Sequence, residues 1–219
     1  MKVFIGWDSR ENVAYEVCRD SMIKHASVEL DIEPIMQGNV RADGIYWRPT
    51  DPLSSTEFSF TRFLVPHLAQ YQGWAVFCDC DFLWRGDIAT VMDYADPQYA
   101  VMCVQHQYEP KETHKMDNRV QHQYPRKNWS SMMLINCGHP NVVIGLRPWD
   151  VNNATGMHLH QLLWAEPHIG ALPTAYNYLE GWHTQDDCPN PIGVHYTRGG
   201  PWFSGYNDVE YADEWRSYL

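Results

Sequence analysis

The sequence is short of cysteine, of positive charge and of long apolar runs, and each shortage removes a class of protein. Six cysteines in 219 residues are too few to staple a chain of this length. The closest two, Cys78 and Cys80, are separated by a single residue, so neither a disulfide framework nor a CxxC metal or redox site is expected. Lysine and arginine total 16 against 27 aspartate and glutamate, a formal charge of −11, which repels nucleic-acid phosphates and anionic membranes. Nucleic acid is therefore not an expected partner. No stretch approaches the roughly 18 consecutive apolar residues of a membrane helix, and the opening Met1 to Asp8 holds too short an apolar run for a signal peptide. A soluble, cytoplasmic chain without a transmembrane segment is expected.

Aromatic rings are plentiful by contrast, with 10 Trp and 13 Tyr alongside 11 His. Such amphipathic rings line sites for sugars and bases and equally fill cores. The chain is long enough for one substantial core, and no linker composition or low-complexity run divides it, so one α/β domain over residues 1–219 is expected.

Apolar spacing predicts a strand at Val3 to Trp7 and a helix with Val13, Ala14, Val17, Cys18, Met22 and Ile23 on one face. A strand around Leu30 to Ile35, a loop over about 38–57 and a helix presenting Phe60, Phe63, Leu64, Leu68 and Tyr71 follow, the helix closed by Gly73. Trp74 to Cys78 reads as a buried strand. A short helix from Asp87, strands at Tyr99–Val104, Met132–Ile135 and Ile169–Leu172, a helix with Leu159, Leu162 and Leu163, and a closing helix over 209–219 complete the alternation. The polar stretch 105–128 carries Gln-His-Gln-Tyr at 105–108 and again at 121–124, and reads as an excursion over the sheet.

The most informative residues are Asp79 and Asp81. Side chains two apart on an extended backbone share a face, so both carboxylates can meet one cation, while Cys80 points the other way. Oxygen ligands suit Mg²⁺ or Mn²⁺. The pair sits at the carboxyl end of a buried strand, where open α/β sheets bind ligands, and apolar residues flank it on both sides. Carboxylates held there call for a metal or a basic partner.

Phe77-Cys78-Asp79-Cys80-Asp81-Phe82-Leu83, followed by Gly86-Asp87-Ile88, resembles the Asp-x-Asp segment of nucleotide-sugar-dependent glycosyltransferases with the GT-A fold, in particular the retaining glycogenin and lipopolysaccharide galactosyltransferase family. Ser59-Phe60-Thr61-Arg62-Phe63 with Pro66 resembles the family's arginine helix. Trp129-Ser130-Ser131-Met132-Met133-Leu134-Ile135-Asn136 resembles its Asn-Ser-Gly-hydrophobic-Asn strand, and His195-Tyr196 with Pro201-Trp202 its closing His-to-Pro-Trp segment. The four pieces fall in the family's order between residues 3 and 202.

The resemblance implies a single GT-A, Rossmann-like domain with a mixed, mostly parallel sheet flanked by helices, its nucleotide-binding part about 1–104 and its acceptor side about 105–219. It implies transfer of glucose or galactose from a UDP-sugar to a hydroxyl of a glycan or small-molecule acceptor, with retention and with Mn²⁺ or Mg²⁺ as cofactor. Asp79, Asp81 and His195 map onto the metal ligands. Gly6, Trp7 and Asp8 map onto the nucleoside site with Arg10 nearby, and Arg62 reaches the donor sugar or phosphates. Cys80, Asn136 and Gly199 join the donor-side set, and Gln161 matches a glutamine near the anomeric carbon. The family's phosphate-binding lysine is replaced by Gly200, for which Arg198 is the expected substitute, and His160 stands where an acid precedes Gln161. Asp186 and Asp187 are the carboxylates available if a base were needed, and a solvated acidic turn is their other reading. Two alternatives use the same features: a haloacid-dehalogenase-like Mg²⁺ phosphatase, which places its Asp-x-Asp nearer the N-terminus, and a non-catalytic carbohydrate-binding module.

Overall fold

Residues 1–50, 54–107 and 125–219 are described by the computed structural model. The apolar opening forms β1 (Lys2–Gly6), buried over its last four residues, and leads through a short turn into α1 (Asn12–His25). Ala14, Val17, Cys18 and Met22 face inward as helical spacing requires, whereas Ile23, expected beside them, is 54% exposed. After β2 (Asp31–Ile35), the segment expected as loop contains α2 (Gln37–Ala42). Its carboxyl end is closed by the amides of Ile45 and Tyr46, which both donate to the Val40 carbonyl. That turn depends on Gly44 at φ +71°. The single helix expected over Phe60 to Tyr71 is instead a 3-10 turn, Thr61–Leu64, running into the one-turn α3 (Val65–Leu68). Gln70 and Tyr71 then adopt left-handed φ near +55° and stop it before Gly73.

The remaining elements are β3 (Trp74–Cys78), β4 (Phe82–Trp84), a 3-10 turn at Ile88–Tyr94, β5 (Val101–Cys103), β6 (Met132–Asn136), α4 (Pro140–Gly145), α5 (Pro148–Asn153), α6 (Gly156–His160), β7 (Ile169–Ala171), β8 (Tyr178–Leu179), β9 (Gly193–His195) and α7 (Ala212–Arg216). The expected closing helix is thus five residues long. The helix expected around Leu159 to Leu163 breaks at Leu162, whose φ is +54°. The paired Gln-His-Gln-Tyr runs extend outside the described residues.

Among the described residues, six strands form one sheet in the order β2-β1-β3-β6-β5-β7, and β4-β9-β8 form a second. In the first sheet β1–β2, β1–β3 and β5–β7 pair in parallel, and β6 alone runs against its neighbours β3 and β5. The carboxyl ends of β1, β3 and β5 therefore share one edge with the start of β6. Helix α1 joins the two sheets. Its Cys18 and Met22 enter the large core, while Val17 packs with Leu83, Tyr178, Val194, Tyr196 and Trp215 in a smaller one. The buried Ser21 hydroxyl accepts the Trp84 amide at 3.1 Å, pinning β4 to the helix.

Candidate active site

Strand β3 ends at Cys78, and a bend at residues 79–81 carries the chain into the second sheet. The bend is clamped at both ends. The Asp79 amide donates to the Ser131 carbonyl at 2.8 Å, and the Asp81 carbonyl accepts the Tyr196 amide at 2.9 Å. The two carboxylates thus converge through a bend fixed by β6 and β9, and not through the alternation of an extended strand. His195, at the end of β9 and opposite Phe82 in register, completes the group. One ligand atom from each of Asp79, Asp81 and His195 lies within 4.8 Å of the others, and His195 Nε2 stands 3.3 Å from Asp81 Oδ1.

The imidazole is held for this task. It is 2% exposed and stacks on Phe82 with ring centroids 4.5 Å apart. Its Nδ1 lies 3.0 Å from Asn177 Oδ1, and the Asn177 amide nitrogen donates to Ser131 Oγ at 2.9 Å, which fixes the amide's orientation. Nδ1 therefore carries the proton and Nε2 presents its lone pair toward the carboxylates. Two carboxylates and an oriented imidazole form a donor set that fits Mn²⁺ or Mg²⁺. Cys80 stays out of it: the side chain is buried, and burial pushes its thiol well above the usual range, so no thiolate is offered.

Arg62 reaches the same place from the 3-10 turn. Its Nη1 donates to Asp79 Oδ1 at 2.6 Å and to the Ser130 carbonyl at 2.9 Å. The guanidinium is flanked by Phe58 and Phe77, and its buried Nε has no partner among the described residues. Behind it, His160 Nδ1 pairs with Ser130 Oγ at 2.9 Å, and the ring packs edge-on against Phe60 and Phe63. Burial, followed by the positive charges of Arg62 and Arg48, lowers His160 to about 3, so it is neutral near pH 7. Glu11, at the start of α1, was not singled out from the sequence. Burial first, and then the charges of Asp81 and Asp8, push its carboxyl up to about 8.

The other expected site residues are placed as follows. Asp8 is fully buried and already occupied. Its Oδ1 accepts from Arg10 N and Nε at 3.0 and 2.9 Å, and its Oδ2 from Arg10 Nη2 at 2.6 Å and Glu57 N at 3.0 Å. Burial opposes its ionisation, but those hydrogen bonds prevail and hold the carboxyl below its ordinary range. Asp8 thus anchors Arg10 and residue 57. The close approach that Gly6 permits is made by the Phe58 ring, which a Cβ would meet at 2.4 Å. Trp7 is half-buried and donates from Nε1 to Asn12 Oδ1 at 3.0 Å. Asn136 is not brought to the site: it pairs with Trp74 at the start of β3, while Met132 pairs with Cys78 beside the acids. The reversal of β6 carries it to the far edge of the sheet.

Gln161 follows α6 and its carbonyl accepts from Arg126 Nη1 at 2.8 Å. Asp186 and Asp187 lie in an exposed turn. Asp187 Oδ2 accepts the amide and the hydroxyl of Thr184 at 2.8 and 2.9 Å, which holds its carboxyl low. Arg198 donates to the Gly181 carbonyl at 3.3 Å, and the adjoining Gly199 is buried at φ +132°. At Gly200 a Cβ would sit 1.9 Å from the Trp202 ring. That contact gives a steric reason why no lysine stands there.

This sheet order, with an acidic pair and a late histidine at the carboxyl edge, defines a GT-A α/β fold. Solved structures share it. The apo WbbM bifunctional glycosyltransferase superposes with a TM-score of 0.68 at 13% identity over 100% of this chain and 49% of its own. The apo glycosyltransferase GlyE of Streptococcus pneumoniae TIGR4 gives 0.62 at 15% identity over 99% and 59%. The galactosyltransferase LgtC in complex with donor and acceptor sugar analogs gives 0.58 at 12% over 100% and 95%. The chain thus spans 49% of WbbM and 59% of GlyE. No protein-family model matches the sequence. Protein CDI of Arabidopsis thaliana is 53% identical over 218 residues, covering 98% of this chain and 84% of that protein. The chain belongs to the family of Protein CDI.

Proposed function

We propose that the chain is a metal-dependent glycosyltransferase that moves glucose or galactose from a UDP-sugar to a hydroxyl acceptor, with retention at the anomeric carbon. The observation that carries this reading is the convergence of Asp79, Asp81 and the tautomer-fixed His195 at the ligand-binding edge of a GT-A sheet. A divalent ion held by these three would neutralise the charge that gathers on the departing nucleoside diphosphate. The protein's own groups do the rest. Trp7 and Arg10, the latter fixed by Asp8, border the nucleoside end, and Arg62 offers guanidinium hydrogen bonds to the donor. Arg198 and the Gly199 backbone serve the diphosphate from the loop after β9, and Gln161 lies beside the reacting carbon. A front-side departure needs no carboxylate base, because a phosphate oxygen accepts the acceptor's proton. Asp187, engaged within its own turn, is left out of that role.

The structures of WbbM, GlyE and LgtC are of glycosyltransferases, which supports the reaction class. The phosphatase alternative loses its footing, because the acidic pair follows the third strand of the chain and not the first. The test is release of UDP from UDP-glucose and UDP-galactose with Mn²⁺, with and without methyl hexosides as acceptors. Release is expected from one donor, absent in EDTA and in Asp81→Ala, and an α-configured product from that α-linked donor reports retention. Hydrolysis of p-nitrophenyl phosphate without UDP release would overturn the reading.

A further inference from the structure

Three residues beyond the end of β5, on the same edge as the acidic pair, His106 is 6% exposed, and neither ring nitrogen has a hydrogen-bond partner among the described residues. A neutral imidazole offers one N–H and one lone pair. Leaving both unmade in the interior is costly, so a folded chain that keeps such a group gives it a use. The side-chain nitrogen of Asn128 is a second buried atom without a partner among the described residues.

The two orphans belong to one piece of structure. Trp129 Nε1 donates to the His106 carbonyl at 2.9 Å. Asn128, at left-handed φ +64°, has its carbonyl engaged by Ser131 Oγ at 2.7 Å and by Asn177 Nδ2 at 3.5 Å. Its Oδ1 accepts Thr197 Oγ1 at 3.5 Å. Asn177 is the residue that orients His195, so Asn128 connects through one side chain to the metal-site histidine. A second imidazole adjoins His106: the His183 ring centroid is 5.5 Å from that of His106. His183 Nδ1 accepts the Leu179 amide at 2.9 Å, which leaves its proton on Nε2.

These groups suit a neutral ligand that both donates and accepts. We propose that His106 and Asn128, with His183 beside them, form a subsite for the hydroxyls of a pyranose next to the donor phosphates. The subsite rests on the glycosyltransferase reading for the identity of its ligand as a sugar. Burial, and then the neighbouring His183 and His195, hold His106 at about 2, so its ring stays uncharged and both of its hydrogen-bonding modes remain available to a hydroxyl. The sugar is either the transferred hexose or the acceptor, and the two are separable by experiment.

The experiment records the ring ¹⁵N signals of His106 in the full chain with Mg²⁺ while four probes are added separately: UDP, UDP-glucose, UDP-galactose and methyl hexosides. UDP alone is expected to leave the His106 signals in place. A shift with a UDP-hexose assigns the subsite to the donor sugar, and a shift with methyl hexosides assigns it to the acceptor. His106→Phe is expected to lose about tenfold in affinity for the probe that moves the signals, with UDP binding retained and partial rescue in His106→Gln. Asn128→Ala is expected to lose affinity for the same probe. Signals unmoved by every sugar probe, or a folded His106→Phe that binds them as wild type does, overturn the proposal. Should His106→Phe fail to fold, the wild-type signals decide alone. Failure of UDP to bind overturns the donor reading separately, and the methyl hexoside arm still decides the subsite.

Discussion

The arrangement of His195 depends on one amide. Asn177 Oδ1 accepts the Nδ1–H hydrogen bond and the amide is itself held by Ser131, so the lone pair facing Asp81 is set by a residue 18 positions away in sequence. Removing it frees the ring to take the other tautomer and rotate. Asn177→Ala is expected to weaken Mn²⁺ binding by about 10- to 100-fold, measured by titration calorimetry, with the circular dichroism spectrum unchanged. An unchanged affinity would show that His195 is not held as a ligand. Asp79 and Asp81 were legible because residue type, spacing and flanking apolar runs all pointed the same way, and His195 because its segment resembles the glycosyltransferase family's closing one. Asn177, Glu11 and His106 were not. An asparagine between two tyrosines, an acid opening a helix and a histidine in a polar stretch carry no signal of a role until folding sets them against a distant partner. Asp8 was recognised as important, but its saturation by Arg10 and residue 57 exists only once the 54–60 segment returns over the first turn.

The strands of the first sheet were readable, down to the three-residue β5 and β7; those of the second sheet were not. β3 and the end of β1 announced themselves through their buried runs. The second sheet, built from strands of three, two and three residues, has no period long enough to read. That omission matters because β9 delivers His195 and β4 follows Asp81 directly. Direction was equally hidden. A buried run looks the same in either sense, so the antiparallel course of β6 put Asn136 at the wrong edge and Ser130 and Ser131 at the right one. The two sheets are coupled through α1, where Ser21 accepts the Trp84 amide. Ser21→Ala leaves that buried N–H unsatisfied and is expected to cost about 1–3 kcal/mol in urea unfolding. A loss confined to a few tenths would show that another acceptor replaces it.

Taken as a whole, the molecule carries opposed titrations that set where it is most stable. His106 at about 2 and His160 at about 3 are both depressed from 6.5, so below pH 6.5 the unfolded chain binds the extra protons and stability falls with pH. Each histidine contributes up to about 1.4 kcal/mol per pH unit. Glu11 acts in the other direction. Its pKa is raised from 4.5 to about 8, so the folded state holds the proton between those values and stability falls as pH rises through them. For the metal-free protein in EDTA, a stability maximum between about pH 6 and 7 is expected from urea unfolding across pH. Glu11→Gln should flatten the alkaline side and His160→Phe the acid side, and a curve insensitive to both would contradict these assignments. The same strongly acidic chain, with no helix among its described residues long and apolar enough to cross a membrane, sets Asp79 and Asp81 close together at one sheet edge, and a cation there relieves their repulsion. Calorimetric titration of UDP, with GDP as control, in Mn²⁺ and then in EDTA, on wild type and on Asp81→Ala, tests that site most directly. UDP binding that needs the metal and is lost in Asp81→Ala is the predicted result. No nucleotide binding under any condition, or binding indifferent to both the metal and Asp81, would contradict it.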